Sequence, residues 1–402
     1  AWQRLEHEHE NLRAALSWSI TEPAGDGVPR GEIGARLAGA LWRFWRTRSY
    51  LSEGLYWLVL VRARTGLPPA LRANVLLGIG YLYYHQGSFP SAVAHATESL
   101  ALYRALDQPG GIAEAQIILG LIAELQDEYD QARDLVAESL AIFRDLGDTR
   151  GMSTALYILG QVARDQGHYA RAGRYFAESC ALSRRQGDSW GLLVALTRYS
   201  TTMMEHGDLE EAAVLAQEGL VLSRDVLKDT WSMAWALCTL AQIAAWQGQG
   251  ARARALAEES LTLNRKIGAQ WGAAIATGTL ALLAREQRHY AEAAQLYREC
   301  LRFHRSVSNK WRVAECLDAL ACLAVATATA NEPDGLAHAA RLFGAAEALR
   351  AAIGAHRPPV AQPAFEQAVA ALHGALGAEA RERSWAAGAL LSWQEAVDLA
   401  LA

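Results

Sequence analysis

Lysine is nearly absent from this sequence. Of its 38 Lys and Arg residues only three are Lys, at positions 228, 266 and 310, and the 43 acidic residues give a net charge of −5. A chain with this charge lacks the basic footprint of a nucleic-acid-binding domain, so we expect no direct contact with nucleic acid. Proline is also scarce, with ten in 402 residues, while 51% of the residues are hydrophobic. This balance is typical of an all-helical protein.

Cysteine and long apolar runs are equally limited. The five cysteines are an odd number and include no C-x-x-C pair, which indicates buried free thiols in a reducing compartment and therefore a cytoplasmic protein. No apolar run approaches the roughly 18 residues that a membrane span needs, and no signal peptide is evident. Ala1 already stands in what reads as a helix, so we expect the chain to be a piece of a longer protein.

The sequence contains none of the short motifs that carry catalysis. There is no G-x-x-x-x-G-K-[ST] phosphate loop, no G-x-S-x-G and no H-E-x-x-H. His7 and His9 stand two apart, and such residues point to different sides of a helix, so they do not form a metal site. We therefore predict no catalytic residue, no metal, no cofactor and no enzymatic activity.

A repeat of about 40 residues dominates the chain. One row of matching positions consists of Glu98-Ser-Leu, Glu138-Ser-Leu, Glu178-Ser-Cys, Glu218-Gly-Leu, Glu259-Ser-Leu and Glu299-Cys-Leu. A second row consists of Leu119-Gly, Leu159-Gly, Leu240-Ala, Leu280-Ala and Leu320-Ala. Two rows in fixed phase over six copies predict an array of stacked repeats.

Each repeat is predicted to be a hairpin of two helices. Between residues 149 and 187 two amphipathic stretches are separated by Gly167 and closed by Gly187. The spacing of Leu159-Gly160, Gly167-x-Tyr169, Ala172 and Phe176 resembles the tetratricopeptide (TPR) pattern, in a unit that is longer by about six residues. The predicted fold is an all-α, right-handed TPR-like superhelical solenoid of about eight helix hairpins.

The ends of the chain depart from the repeat and predict three regions. Residues 1–31 comprise an N-terminal helix and a linker. Residues 32–354 form the repeat array. Residues 355–402 begin with a proline-containing breaker, AHRPPVAQP, and continue as capping helices.

A tryptophan recurs at one phase of the repeat, at Trp190, Trp231, Trp271 and Trp311. Positions four, seven and eleven residues after each Trp share its helix face. These faces correspond to the side of the first helix that lines the concave groove in TPR proteins. The stripe from Trp231 contains Trp235, Cys238 and Gln242, the stripe from Trp271 contains Ile275, Gly278 and Leu282, and the stripe from Trp311 contains Glu315, Asp318 and Cys322.

Two interpretations of this tryptophan ladder stay open. The rings either seal the tips of long hairpins by packing or form a stacking surface for a ligand, with polar neighbours that orient it. For the second interpretation the candidate groove residues are Tyr157, Gln161, Arg164, Trp190, Thr197, Thr201, Glu205, Trp231, Trp235, Gln242, Trp246, Trp271 and Arg285.

The ends of the chain resemble a known family more closely than the middle does. RLEHEHENLRAALSWSI (4–20) and LWRFWRTRSYLSEGLYWLVLVRART (41–65) are similar to the start of the helical region of large bacterial STAND-type regulators, often of the LuxR type. AARLFGAAEALRAAIG (339–354) and SWAAGALLSWQEAVDLAL (384–401) resemble the end of that region. The resemblance implies a MalT-like sensor arm, with residues 1–31 as the tail of a missing ATPase region.

Such an arm binds an inducer or a partner protein and biases a nucleotide-driven switch. The expected partners are therefore the ATPase and DNA-binding domains of the full-length protein, together with a small-molecule inducer or a protein or peptide ligand in the groove. The alternative is a peptide-binding TPR scaffold without a small-molecule ligand. A closed aromatic pocket would favour the sensor, and an open trough would favour the scaffold.

Overall fold

The computed structural model describes residues 2–21, 30–48, 50–64, 66–126, 128–328 and 333–402. Helix accounts for 86% of the described residues, and no strand occurs among them. The predicted linker at 21–31 lies almost wholly outside them. None of the described helices is long and apolar enough to cross a membrane.

The structure contains 21 α-helices in the described ranges. They are α1 Trp2–His7, α2 His9–Thr21, α3 Arg30–Thr47, α4 Leu51–Arg62, α5 Pro69–His85, α6 Phe89–Ala105, α7 Pro109–Leu125, α8 Tyr129–Leu146, α9 Thr149–Asp165, α10 Tyr169–Gln186, α11 Ser189–His206, α12 Leu209–Val221, α13 Thr230–Trp246, α14 Gly250–Lys266, α15 Gln270–Glu286, α16 Tyr290–Ser306, α17 Lys310–Thr327, α18 Pro333–Ala352, α19 Gln362–Ala375, α20 Ala378–Ala389 and α21 Trp393–Leu401.

These helices form two compact units, residues 1–162 and 163–402. Within each unit, successive helices pair as antiparallel hairpins and each hairpin packs on the next, as in α5–α6–α7–α8 and in α13–α14–α15–α16. The helical-hairpin prediction is thereby confirmed. The three-region division at residues 31 and 354 stays a prediction.

The row of Glu-Ser-Leu positions has a direct structural cause. The Ser hydroxyl donates a hydrogen bond to a backbone carbonyl 26 residues earlier, in the first helix of the same hairpin, as in Ser99 to Ala73 (2.8 Å), Ser139 to Ala113 (3.0 Å) and Ser260 to Ala234 (2.8 Å). The Glu reaches back to the preceding hairpin, where Glu218 pairs with Arg184 and Glu259 with Arg224. In three repeats the row therefore marks a hydrogen bond within the hairpin, and in two repeats it marks an ion pair to the preceding hairpin.

We expect Ser139→Ala to lower the free energy of unfolding by about 1 kcal/mol, because it deletes a buried hydrogen bond and changes little else. The matched control is Ser52→Ala, since Ser52 is exposed on α4 of the same unit. Urea titration followed by circular dichroism measures both. Equal midpoints for the two variants would show that the recurring hydroxyl does not stabilise the hairpin.

One repeat is a residue longer than the others, and the structure shows where the extra residue goes. The step from Glu218 to Glu259 is 41 residues instead of 40, and within it residues Leu222–Leu227 adopt a π-helix that ends in left-handed Lys228. A single inserted residue widens a helical turn into a π-bulge. The insertion is thus absorbed before α13, and the tryptophan phase resumes at Trp231.

The C-terminal helices belong to the core of the second unit. α19 lies against α17, α20 against α18, and α21 against α16, α17 and α18. Leu372, Ala396 and Val397 from these helices share one buried cluster with Phe343 and Leu317 of the last repeat. The last three helices thus bury apolar side chains of the last repeat. Their assignment as a separate capping region stays a prediction.

Candidate functional site

The second unit contains a cavity of about 200 Å³. It lies on the face that is formed by the first helix of each hairpin. Its lining comes from α11, α13, α15 and α17, with further side chains from α16 and α18. The opposite wall is the segment after α18, through Arg357, Pro358 and Val360, and the start of α19, through Phe365. The cavity is therefore bounded by four consecutive repeats on one side and by the C-terminal segment on the other.

Every residue of the stripe that begins at Trp311 lines this cavity. Trp311, Glu315, Asp318 and Cys322 all face it, as do Ile275, Gly278 and Leu282 of the preceding stripe. Positions four, seven and eleven residues on from a tryptophan thus form one wall, as helical geometry predicts. The stripe from Trp231 reaches the cavity at Gln242, and Trp246 follows one turn later.

Asp318 holds two arginines at the cavity wall. Arg350 Nη2 lies 2.6 Å from Asp318 Oδ2, and Arg357 donates through Nε (3.0 Å) and Nη2 (3.3 Å) to the two carboxylate oxygens. The exposed fractions of the three side chains are 7% for Arg350, 14% for Arg357 and 13% for Asp318. Charges this buried are costly unless paired, so the cluster is held by its mutual attraction.

A second charged group lies nearby, on α11 and α17. Arg312 Nη1 donates to Glu315 Oε2 at 2.7 Å, and the Arg312 guanidinium lies 4.5 Å from the centre of the Trp311 ring. Burial raises the pKa of the Glu205 carboxyl, which the positive charges of Arg164 and Arg312 oppose. Burial thus makes Glu205 easier to protonate than an exposed glutamate.

We expect Glu205→Gln to stabilise the protein at neutral pH and to have progressively less effect as the pH falls. A carboxyl whose pKa is raised in the folded state contributes stability below its ordinary value of 4.5, and this stability is lost as the pH rises through the folded pKa. Melting temperatures of variant and parent between about pH 4 and pH 8 measure the difference. Glu258→Gln, at an exposed site on α14, is the control. A difference independent of pH would contradict the assignment.

Of the thirteen predicted site residues, four line the cavity: Glu205, Gln242, Trp246 and Arg285. Trp190, Trp231 and Trp271 lie outside its lining, with 54%, 54% and 36% of their surface exposed. Trp231 stacks on Trp235 at 5.9 Å between ring centres, and Trp271 packs edge-on against His304. Of the four ladder tryptophans, Trp311 therefore lines the cavity, and the other three are partly exposed outside its lining.

The remaining predicted residues lie outside the cavity lining, and three of them bond to groups in their own helix. Thr197 and Thr201 donate their hydroxyls to the carbonyls of Leu193 (2.7 Å) and Thr197 (2.9 Å) within α11. Arg164 pairs with Asp165 at 2.6 Å. The other two belong to the first unit, where Tyr157 is half-buried and Gln161 is buried.

Sequence reasoning predicted Arg285 but missed the other three arginines of the cavity, Arg312, Arg350 and Arg357, and the segment that forms its opposite wall. Arg312 follows a ladder tryptophan directly, but Arg350 and Arg357 come from the end of the array and from the segment that the prolines marked only as a breaker. The available signal was the pair of carboxylates on the stripe from Trp311, Glu315 and Asp318, since a buried carboxylate requires a cation. The pKa of His304, which also lines the cavity, is lowered to about 4 by burial and by Arg312. Among the described residues no cluster of His, Cys, Asp and Glu has the arrangement of a metal site.

Residues 73–353 match the family described as the MalT-like TPR region. The chain belongs to this family. No curated protein sequence matches it significantly.

Among solved structures, this MalT-like TPR region is similar in fold to three helical-repeat proteins. The apo form of RapI is 12% identical, with a TM-score of 0.54, over 68% of this chain and 99% of its own. A Rap protein complexed with Competence and Sporulation Factor is 12% identical, with a TM-score of 0.53, over 78% and 93%. A signal transduction ATPase with numerous domains (STAND) and a tetratricopeptide repeat sensor, from Pyrococcus horikoshii, is 12% identical, with a TM-score of 0.51, over 95% and 71%.

Proposed function

We propose that this chain is the sensor and protein-interaction region of a bacterial signal-transduction ATPase that regulates transcription, of the LuxR type, in the cytoplasm. Its groove in residues 163–402 would bind an inducer or a partner. The ATPase and DNA-binding domains of the full-length protein would read the result. Membership of the MalT-like TPR family supports this proposal, as does the fold shared with a STAND protein that carries a tetratricopeptide sensor.

The observation that carries the proposal is the cavity itself. Ligand sites combine an enclosed volume with aromatic surface and a few convergent polar groups. This cavity offers Trp246, Trp311 and Phe365 as aromatic surface. Its four guanidinium groups and three carboxylates suit a polar or charged ligand rather than a lipid; they belong to Arg285, Arg312, Arg350, Arg357, Glu205, Glu315 and Asp318.

A ligand in this position would act on more than one repeat. It would touch first helices as far apart as α11 and α17, and also the segment that leads to α19. A ligand shifts a conformational equilibrium only by its differential affinity for the two states. Contacts spread over four repeats make that affinity sensitive to the angle between successive hairpins.

The alternative, a peptide-binding scaffold, has one specific observation in its favour. The wall opposite the helices is a stretch of extended, proline-containing chain, with Pro358 at φ −58° and ψ 136°. The groove therefore already accommodates peptide in this conformation. The similar Rap protein is complexed with Competence and Sporulation Factor.

A thermal-shift screen against metabolites and peptides tests the proposal. A ligand at 100 times its Kd stabilises the folded state by about 2.7 kcal/mol. The stabilisation should disappear in Gln242→Ala, because Gln242 lines the cavity, and persist in Trp231→Phe, because Trp231 does not. Stabilisation that both variants lose equally, or that neither loses, would place binding outside the cavity and refute the proposal.

A further inference from the structure

The segment that follows α18 crosses the face of the second unit that carries the cavity. After Ala352 the chain runs without helix to Pro358, forms a single 3₁₀ turn at Pro359–Ala361 and then enters α19. The turn packs against α11, although α19 packs against α17, three repeats further along the array. The segment therefore crosses the groove from one repeat to another.

One arginine, Arg357, anchors the segment to the cavity wall on α17. Arg357 makes the two-point contact with Asp318 of α17 described above, and its guanidinium lies 3.4 Å from the centre of the Phe365 ring. A planar guanidinium paired with a carboxylate and stacked on an aromatic ring is a specific form of arginine recognition. Arg350 also pairs with Asp318, so the carboxylate keeps one cation when Arg357 is removed.

The residues after the anchor behave as a docked peptide. Pro358 is buried, while Val360 and Ala361 are half-buried and line the cavity. Pro358 has polyproline dihedral angles, and the 3₁₀ turn after it has one internal hydrogen bond, from the Ala361 N–H to the Pro358 carbonyl. A segment with so few internal hydrogen bonds is held by its side chains and by what it packs against. On the other side of the anchor, the His356 ring lies against Gly167 at the α9–α10 turn.

We propose that residues 356–361 are an internal ligand of the groove. External peptides in which an arginine is followed by proline would then be the ligands that the groove binds in its place. This inference rests on the proposed function, since it names the ligand class and the regulation of the same cavity. Asp318 is the receptor for the arginine of either ligand, and Pro358 with the 3₁₀ turn at Pro359–Ala361 fills the space between α17 and α11.

Tethering makes the internal ligand a strong competitor. A segment joined to its site by a short connection acts at an effective concentration on the order of millimolar. The apparent Kd of an external peptide is its intrinsic Kd divided by the fraction of molecules in which the groove is free. Residues 356–361 thus gate the groove. The fraction of molecules that can bind an external peptide equals the fraction in which Arg357 has left Asp318.

Three cysteines report on release of the segment. Cys300, Cys316 and Cys322 line the cavity, whereas Cys180 and Cys238 are buried elsewhere and serve as internal controls. Burial raises the pKa of Cys322 to about 11, and the charge of Arg357 is among the influences that lower it. Loss of that charge alone would slow the reaction of Cys322 with a maleimide. Faster labelling of Cys322 in Arg357→Ala, with unchanged labelling of Cys180 and Cys238, therefore reports uncovering of the cavity.

The experiment compares the full chain with Arg357→Ala, Arg357→Lys and Arg383→Ala. Arg383 is an exposed arginine on α20 and is the matched control. We expect Cys322 to label about tenfold faster in Arg357→Ala than in the parent, with an intermediate rate in Arg357→Lys and no change in Arg383→Ala. Cys180 and Cys238 should keep their rates, which also shows that the variant is folded.

The second readout is binding of a fluorescent peptide of sequence AHRPPVAQPAF, residues 355–365 of the chain. We expect it to bind Arg357→Ala at least about tenfold more tightly than the parent and to restore the slow labelling of Cys322, whereas the same peptide with Arg357→Ala should not bind. Unchanged labelling in Arg357→Ala overturns the inference. Fast labelling without peptide binding at about 1 mM also overturns it, but leaves the cavity as a small-molecule site and the proposed function intact.

Discussion

Gly388→Ala is expected to lower the stability of residues 163–402 by about 3 kcal/mol or more, because it places a methyl group where no space exists. A Cβ on Gly388 would overlap the backbone carbonyl of Arg341 in α18, and a Cβ on Gly344 would overlap the carbonyl of Trp385 in α20. The two helices cross in direct backbone contact, and a backbone cannot move aside as a flexible side chain can. Relief requires separation of α18 from α20.

The measurement is thermal unfolding followed by circular dichroism. For a unit of this size, about 3 kcal/mol corresponds to a fall in Tm of roughly 6–12 °C. Gly374→Ala is the matched control, because a Cβ there meets nothing within 4 Å, and we expect its Tm to change by no more than a few degrees. Equal melting temperatures for Gly388→Ala and Gly374→Ala would contradict the backbone contact.

Asp318→Asn is expected to destabilise the protein by about 3–5 kcal/mol, the cost of breaking a buried ion pair at one partner. Asn keeps the size of Asp but leaves Arg350 and Arg357, both largely buried, without their anion. Urea unfolding of the variant against the parent measures the loss.

The control for this prediction is another Asp that pairs with an arginine at the surface. Asp398 lies 2.6 Å from Arg305, with 62% of its side chain exposed, and Asp398→Asn should cost less than about 1 kcal/mol. If the two variants unfold at the same urea concentration, the Asp318 cluster does not hold the segment against the array.

Much of the fold could be predicted because two separate rows of residues mark the same repeat. The Glu-Ser-Leu row marks contacts within and between hairpins, and Gly167 and Gly187 mark the helix ends with positive φ. The resemblance at the ends of the chain also has a physical basis, since Gly344 and Gly388 stand in the two C-terminal motifs and touch each other's helices. Local spacing and small residues are sufficient signals for such features.

The candidate site was only partly predictable, for a different reason. Helical spacing located the wall that contains Asp318 and Cys322, because side chains on one stripe share a face whatever lies opposite. The partner of that wall is Arg357, 39 residues later in an irregular segment, and no periodicity links the two. The exposed position of Trp190 and Trp231 is likewise set by hairpin packing that spacing alone does not determine.

The most direct test of the account fills the cavity and asks whether binding is lost. Gly278 faces the cavity, and a Cβ there has only Cys300 Sγ nearby, at 3.8 Å, so Gly278→Leu adds a side chain into empty space on α15. Titration calorimetry would compare this variant with the parent, using the strongest effector from the thermal screen. The account predicts an unchanged or higher Tm together with loss of binding. A folded Gly278→Leu protein that binds the effector as tightly as the parent would contradict it.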